Sequence, residues 1–121
     1  MSTAAQVFVA VAGVLHLVIF AMESLLIGRP QVWRRFLITS QADADTVRPW
    51  AVNQGFYNLF LALGAVGGLV VGGERGEAVS LFACGCMVAA GVVLLATDRR
   101  MLRAAAIQAV PPLVALVLAA L

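Results

Sequence analysis

Charged residues make up only 12% of this 121-residue chain, and none of them is lysine. A soluble domain carries about 25% charged and roughly 45–50% apolar residues, whereas here 63% are hydrophobic. A chain this short cannot bury so much apolar surface in its own interior, because small domains have too much surface for their volume. Lipid is the expected solvent. Further scarcities narrow the chemistry. One histidine provides no bis-histidine haem pair, although it leaves the cofactor unspecified, and a zinc site uses three or four N, S or carboxylate ligands. The two cysteines, Cys84 and Cys86, are two residues apart and so point about 200° apart on a helix. They make neither a C-x-x-C redox pair nor a mutual disulfide, and close packing is their expected role. No phosphate loop, dinucleotide fingerprint or nucleophile elbow occurs. Eight arginines without an interleaved aromatic surface give no nucleic-acid interface.

What the chain does have is long apolar runs. A spanning helix needs about 20 largely apolar residues, and four such stretches cover 6–27, 50–72, 78–97 and 102–121. Gly28-Arg29-Pro30 begins the first break, Gly72-Gly73-Glu74-Arg75-Gly76-Glu77 forms the second, and Asp98-Arg99-Arg100 forms the third. Glycine and proline end helices for steric reasons, and charge marks the interface. The expected fold is all-α: a four-helix integral membrane bundle forming a single transmembrane domain over 1–121. Residues 1–6 contain no basic side chain and no A-x-A-like site follows the first run, so that run is expected to stay as a mature helix.

Seven of the eight arginines (Arg29, Arg34, Arg35, Arg48, Arg99, Arg100 and Arg103) fall in or beside the first and third breaks, and only Arg75 in the second. The positive-inside rule then puts both termini outside the cytoplasm. Trp33 and Trp50 flank the first break as interfacial aromatics. Within that break Val32, Trp33, Phe36 and Leu37 recur at helical spacing, with Arg34 and Arg35 on the other side. A short amphipathic helix on the leaflet is expected, with Pro30 in its first turn and Pro49 in the first turn of the next span.

Small and polar residues trace candidate contact faces. In the second span these are Asn53, Tyr57, Leu61, Gly64 and Gly68, with Gln54 and Asn58 at the edge. In the third they are Ala83, Cys86, Ala90 and Thr97, and in the fourth Ala104, Gln108, Pro112, Ala115 and Ala119. Small residues let membrane helices approach, and Gly64-x-x-x-Gly68 is a recognised form.

Polar side chains at membrane depth are costly and mark functional sites by default. His16 and Glu23, seven residues apart, share a face about 10 Å apart along the helix. At about 1.5 Å per residue, Glu23 falls level with Asn53 and Gln54, His16 nearer Asn58, and Gln108 between. His16, Glu23, Asn53, Gln54, Tyr57 and Asn58 are thus the candidate ligand-binding or proton-coupling residues, with Gln108 secondary and no metal site. A carboxyl and an imidazole able to exchange protons near neutral pH fit proton coupling or general acid–base chemistry. Each side chain alone has a plainer use, Glu23 reaching interfacial water and the amides bonding helices together. Their coincidence at similar depth makes them a set.

The His16-x6-Glu23 pair followed by Asn53-Gln54-Gly55-Phe56-Tyr57-Asn58-Leu59-Phe60-Leu61-Ala62 resembles the bacterial membrane-protein family known as domain of unknown function 1304. The resemblance spans nearly the whole chain and implies a four-helix inner-membrane protein without implying an activity. Lack of lysine and an Ala, Val, Gly and Arg bias fit a high-GC bacterial source. Three functions remain open: binding, and proton-coupled transport, of a small polar or amphipathic molecule, for which a chain this short must form a homo-oligomer or rock within its bundle; intramembrane acid–base catalysis on a lipid-soluble substrate; and service as an accessory subunit of a larger membrane complex. Membrane lipid is the one partner expected in all three.

Overall fold

A computed structural model describes residues 1–121. Four helices are long and apolar enough to cross a membrane. Helix α1 (Thr3–Phe20) starts at Ser2, whose hydroxyl accepts from the Ala5 N–H at 3.2 Å, and continues into a π-turn over Ala21–Leu25. Short α2 (Pro30–Trp33) and a 3-10 turn (Arg34–Phe36) follow, ending at Leu37 in the left-handed region (φ 62°). Helix α3 (Gln41–Val71) is capped by Ser40, α4 is Gly73–Thr97, and α5 is Leu102–Ala120 after a 3-10 turn at Arg99–Met101. Helix α1 packs between α3 and α5, and α4 closes the square opposite it. Seven arginines lie at the end where α1 finishes and α3 starts.

The bundle is inside-out relative to a soluble one. Its interior is small, with Ala5, Val9, Ala12, Ala62, Ala65, Ala83, Met87 and Ala115 buried. Its outside carries Val70 at 82%, Phe82 at 75% and Val93 at 64% exposure. Water would penalise that contiguous apolar exterior, and hydrocarbon does not. Backbones meet where glycine allows. A Cβ on Gly68 would run into Gly76 and Ser80 of α4, one on Gly13 would press on Val66, and one on Gly55 would strike Ser24. Ser80 adds a hydrogen bond across α3 and α4, donating from Oγ to the Ala65 carbonyl at 2.7 Å. Gly72 (φ 68°) and Gly73 (φ 63°) sit in the left-handed region, so a two-glycine turn joins α3 to α4 without a Cβ penalty.

Two expectations need correction, and a third holds. Helix α3 begins at Gln41, not near residue 50, so Pro49 lies inside it. The proline deprives the Asp45 carbonyl of an amide partner, which is tolerable because that segment is exposed and polar. The expected short helix after α1 is present, with Pro30 in its first turn: an α-turn over Pro30–Trp33 runs into a 3-10 turn over Arg34–Phe36, and the chain reaches the Ser40 cap four residues later. Trp33 there packs with Ile27 and Ala44, and its indole N–H donates to Gln41 Oε1 at 3.2 Å, while Gln41 Nε2 donates to the Gly28 carbonyl at 3.2 Å. The buried faces also differ from those read off the sequence. In α3 the buried row is Gly55, Asn58, Ala62, Ala65 and Gly68; in α4 it is Gly76, Ser80, Ala83, Cys84, Met87 and Gly91; in α5 it is Ala105, Pro112 and Ala115. Gly64 and Gly68 do face α4, with Gly64 set for contact with Ala83. Asn53, Tyr57 and Ala90 are exposed.

Candidate functional site

The polar residues of α1 meet α3 where the π-turn interrupts the helix. The turn is closed by the Leu26 N–H donating to the Ala21 carbonyl five residues back, at 3.0 Å. A π-turn fits an extra residue into the helix and so re-aims the side chains beside it, and such turns recur at functional sites. Here it carries Glu23 and Ser24. Ser24 is buried, donates to the Val52 carbonyl at 2.8 Å, and presses against Gly55 so closely that no side chain fits there. That contact fixes the register of α1 on α3.

One turn farther along α3, Asn58 is buried and donates from Nδ2 to Glu23 Oε1 at 2.7 Å and to the Gln54 carbonyl at 3.2 Å. Both acceptors are oxygens, so both amide hydrogens are spent and the orientation of the amide is determined. Glu23 is half-buried and held by a single side-chain bond. It therefore keeps acceptor capacity beyond its bond to Asn58.

His16 stands two turns before Glu23 and is 1% exposed. Its Nδ1 lies 2.9 Å from the Ala12 carbonyl, one turn back on its own helix, and its Nε2 has no partner. A carbonyl only accepts, so Nδ1 carries the proton. The neutral ring then has a lone pair on Nε2 that no protein group meets. Leaving a buried polar atom unmatched is costly, and native proteins rarely do so without a reason.

The rest of the expected set is dispersed. Asn53, Gln54 and Tyr57 project from the outer side of α3, and the side chains of Asn53 and Gln54 make no hydrogen bond within the chain. Tyr57, at 55% exposure, lies edge-on to Phe60, with centroids 6.4 Å apart. Gln108 is half-buried in α5 and likewise makes no side-chain hydrogen bond. The structure thus brings Glu23 to Asn58, where the sequence ruler had placed Asn53 and Gln54 opposite the carboxyl. Ser24 was missed, although a serine beside an intramembrane glutamate and a glycine in Asn53-Gln54-Gly55 were the available signals. No three His, Cys, Asp or Glu side chains converge as a metal set. A cavity of about 210 Å³ lies at the other end of the bundle, lined by Met1, Gln6, Gly68, Leu69, Gly72, Gly73 and Glu77, well away from His16.

A family model described as a protein of unknown function, DUF1304, matches residues 10–120. No curated protein matches the chain. No solved structure matches it either.

Proposed function

The chain belongs to the DUF1304 family of proteins of unknown function, and we propose that it is a multi-pass plasma-membrane protein whose Glu23, Asn58 and His16 form a proton-linked binding site for a small polar or amphipathic molecule. Both termini then face away from the cytoplasm, the orientation that the arginine asymmetry favours. The observation that carries this reading is the bond from Asn58 to Glu23, which holds a carboxyl at the α1–α3 seam with acceptor capacity to spare. The second support is His16, fully buried on the same helix and open at one nitrogen.

The test is proton entry into vesicles containing the purified protein and a trapped pH-sensitive dye, driven by a potassium diffusion potential. In the native protein the rate should vary with pH between roughly 5 and 8, a range that includes the imidazole reference value of about 6.5. Glu23→Gln keeps the volume and the hydrogen bond from Asn58, but removes the titration, so the profile should flatten while the fold persists. An unchanged profile would reduce Glu23 to a side chain that merely reaches the interface.

A further inference from the structure

Three observations along α1 from His16 to Glu23, a stretch flanked by the Gly13 and Phe20 contacts with α3, bear on what sort of molecule such a site would take. First, the Ala12 carbonyl claims the Nδ1 proton of His16, so Nε2 offers an acceptor and no donor. Second, Glu23 also presents acceptor oxygen, because the donor in its bond is Asn58. A ligand on this face must therefore bring hydrogen-bond donors. Third, one turn on from His16 the seam is bordered by aromatic rings. Phe20 meets Phe56 edge-on with centroids 5.2 Å apart, and Phe56 meets Phe60 at 6.4 Å. Phe56 is 41% exposed and Phe60 58%, so the ring cluster runs from the seam to the bundle's outer, lipid-facing surface. Such a border suits an apolar body arriving sideways from the bilayer and is poorly matched to a hydrated ion.

We propose that the α1–α3 seam takes a lipid-soluble hydroxylic molecule, whose hydroxyl donates to His16 Nε2 and whose apolar body lies among Phe20, Phe56 and Phe60. This rests on reading this face of α1 as a ligand site, and it names the ligand's chemistry. Ketones, ethers and oxidised quinones of the same shape lack the donor and leave Nε2 unmatched. A site built to pair one hydroxyl discriminates strongly against an analogue without it, because its own polar atom then stays buried and unpaired.

The chain's only histidine makes the test direct. The full-length protein labelled with 15N-histidine, in lipid nanodiscs at about pH 8, above the imidazole reference value of about 6.5, gives one imidazole pair by NMR. The expected tautomer has the proton on Nδ1 and a bare Nε2. Phenol should then shift the Nε2 resonance saturably, and anisole, its methyl ether, should not. Phe56→Leu should weaken phenol roughly 2- to 12-fold, the equivalent of one lost aromatic pair. A proton on Nε2, equal responses to phenol and anisole, no saturable phenol response, or unchanged affinity in Phe56→Leu would each overturn the proposal. The proton-linked reading fails separately, on the vesicle profile of Glu23→Gln, whereas this one fails on the imidazole nitrogen and the rings.

Discussion

Replacing Gly68 by alanine adds one methyl group at the tightest approach of α3 to α4. The new Cβ would sit 2.8 Å from the Ser80 amide nitrogen and closer still to Ser80 Oγ and the Gly76 carbonyl oxygen. Two of these three atoms are backbone, so no flexible side chain can move aside, and the helices must separate. Forcing an extra methyl into a packed interface costs about 1–3 kcal/mol. The separation also stretches the 2.7 Å bond from Ser80 to the Ala65 carbonyl, and interhelical bonds of this kind in membranes average about 0.6 kcal/mol. Less the gain of up to about 1 kcal/mol that alanine brings in helix propensity, the sum is roughly 1–3 kcal/mol of destabilisation. Gly85 in the middle of α4 is the control, since a Cβ there meets nothing within 4 Å. Gly85→Ala should be neutral or stabilising by up to about 1 kcal/mol through helix propensity. Reversible unfolding in mixed micelles by SDS titration, followed by circular dichroism, measures both variants against the native chain. Equal midpoints for Gly68→Ala and Gly85→Ala would refute the close crossing of α3 and α4.

Two other outcomes are expected. Reporter fusions at Leu121 and Ser40 should report opposite sides, with Leu121 external; the reverse assignment would show that the seven arginines at one end do not set the orientation. Asp98 caps the turn before α5, accepting from the Arg100 N–H at 3.0 Å and pairing with its guanidinium at 2.8 Å, and these contacts hold its carboxyl below the ordinary carboxylate range. A depressed value stabilises above the unfolded-state value of about 3.9 and fades as pH falls through the lowered one. The small SDS-unfolding advantage of the native chain over Asp98→Asn should therefore shrink below about pH 4, and an advantage that grows with acidity would contradict the pairing.

The parts of this fold legible in the sequence are those with strong local signals. Runs of apolar residues near 20 long announce the helices, and Gly64-x-x-x-Gly68 announces a close contact with another helix because only small residues permit it, though not that the partner is α4. The start of α3 escaped notice because residues 41–49 are polar and carry no apolar period, although Ser40, three residues before Asp43, is an N-cap in plain view. Helix faces were harder. In helices apolar on every side the contrast that orients a soluble amphipathic helix is absent, and small residues and amides occur around most of α3. The pairing of Glu23 with Asn58 was out of reach for a further reason. A ruler of 1.5 Å per residue assumes an unbroken α-helix, and nothing in Ala21-Met22-Glu23-Ser24-Leu25 signals a π-turn to pattern analysis. The His16 pair of nitrogens is similar: sequence offers the imidazole, and only the Ala12 carbonyl 2.9 Å away decides which nitrogen is free.

The length of α3 has a bearing on how the protein sits in bilayers of different thickness. Its 31 residues rise roughly 46 Å, against a hydrocarbon core of about 30 Å. At the Gly72–Gly73 end the helix stops at a tight turn with nothing to spare. At the arginine end it continues as a rigid stub, which Gln41 and Trp33 lash to the α1–α3 connection. Hydrophobic mismatch is therefore absorbed asymmetrically. A thicker bilayer climbs the stub towards Trp50 and Arg48, where an indole and an extended guanidinium can straddle the headgroups. The glycine turn, by contrast, stays level with its own leaflet.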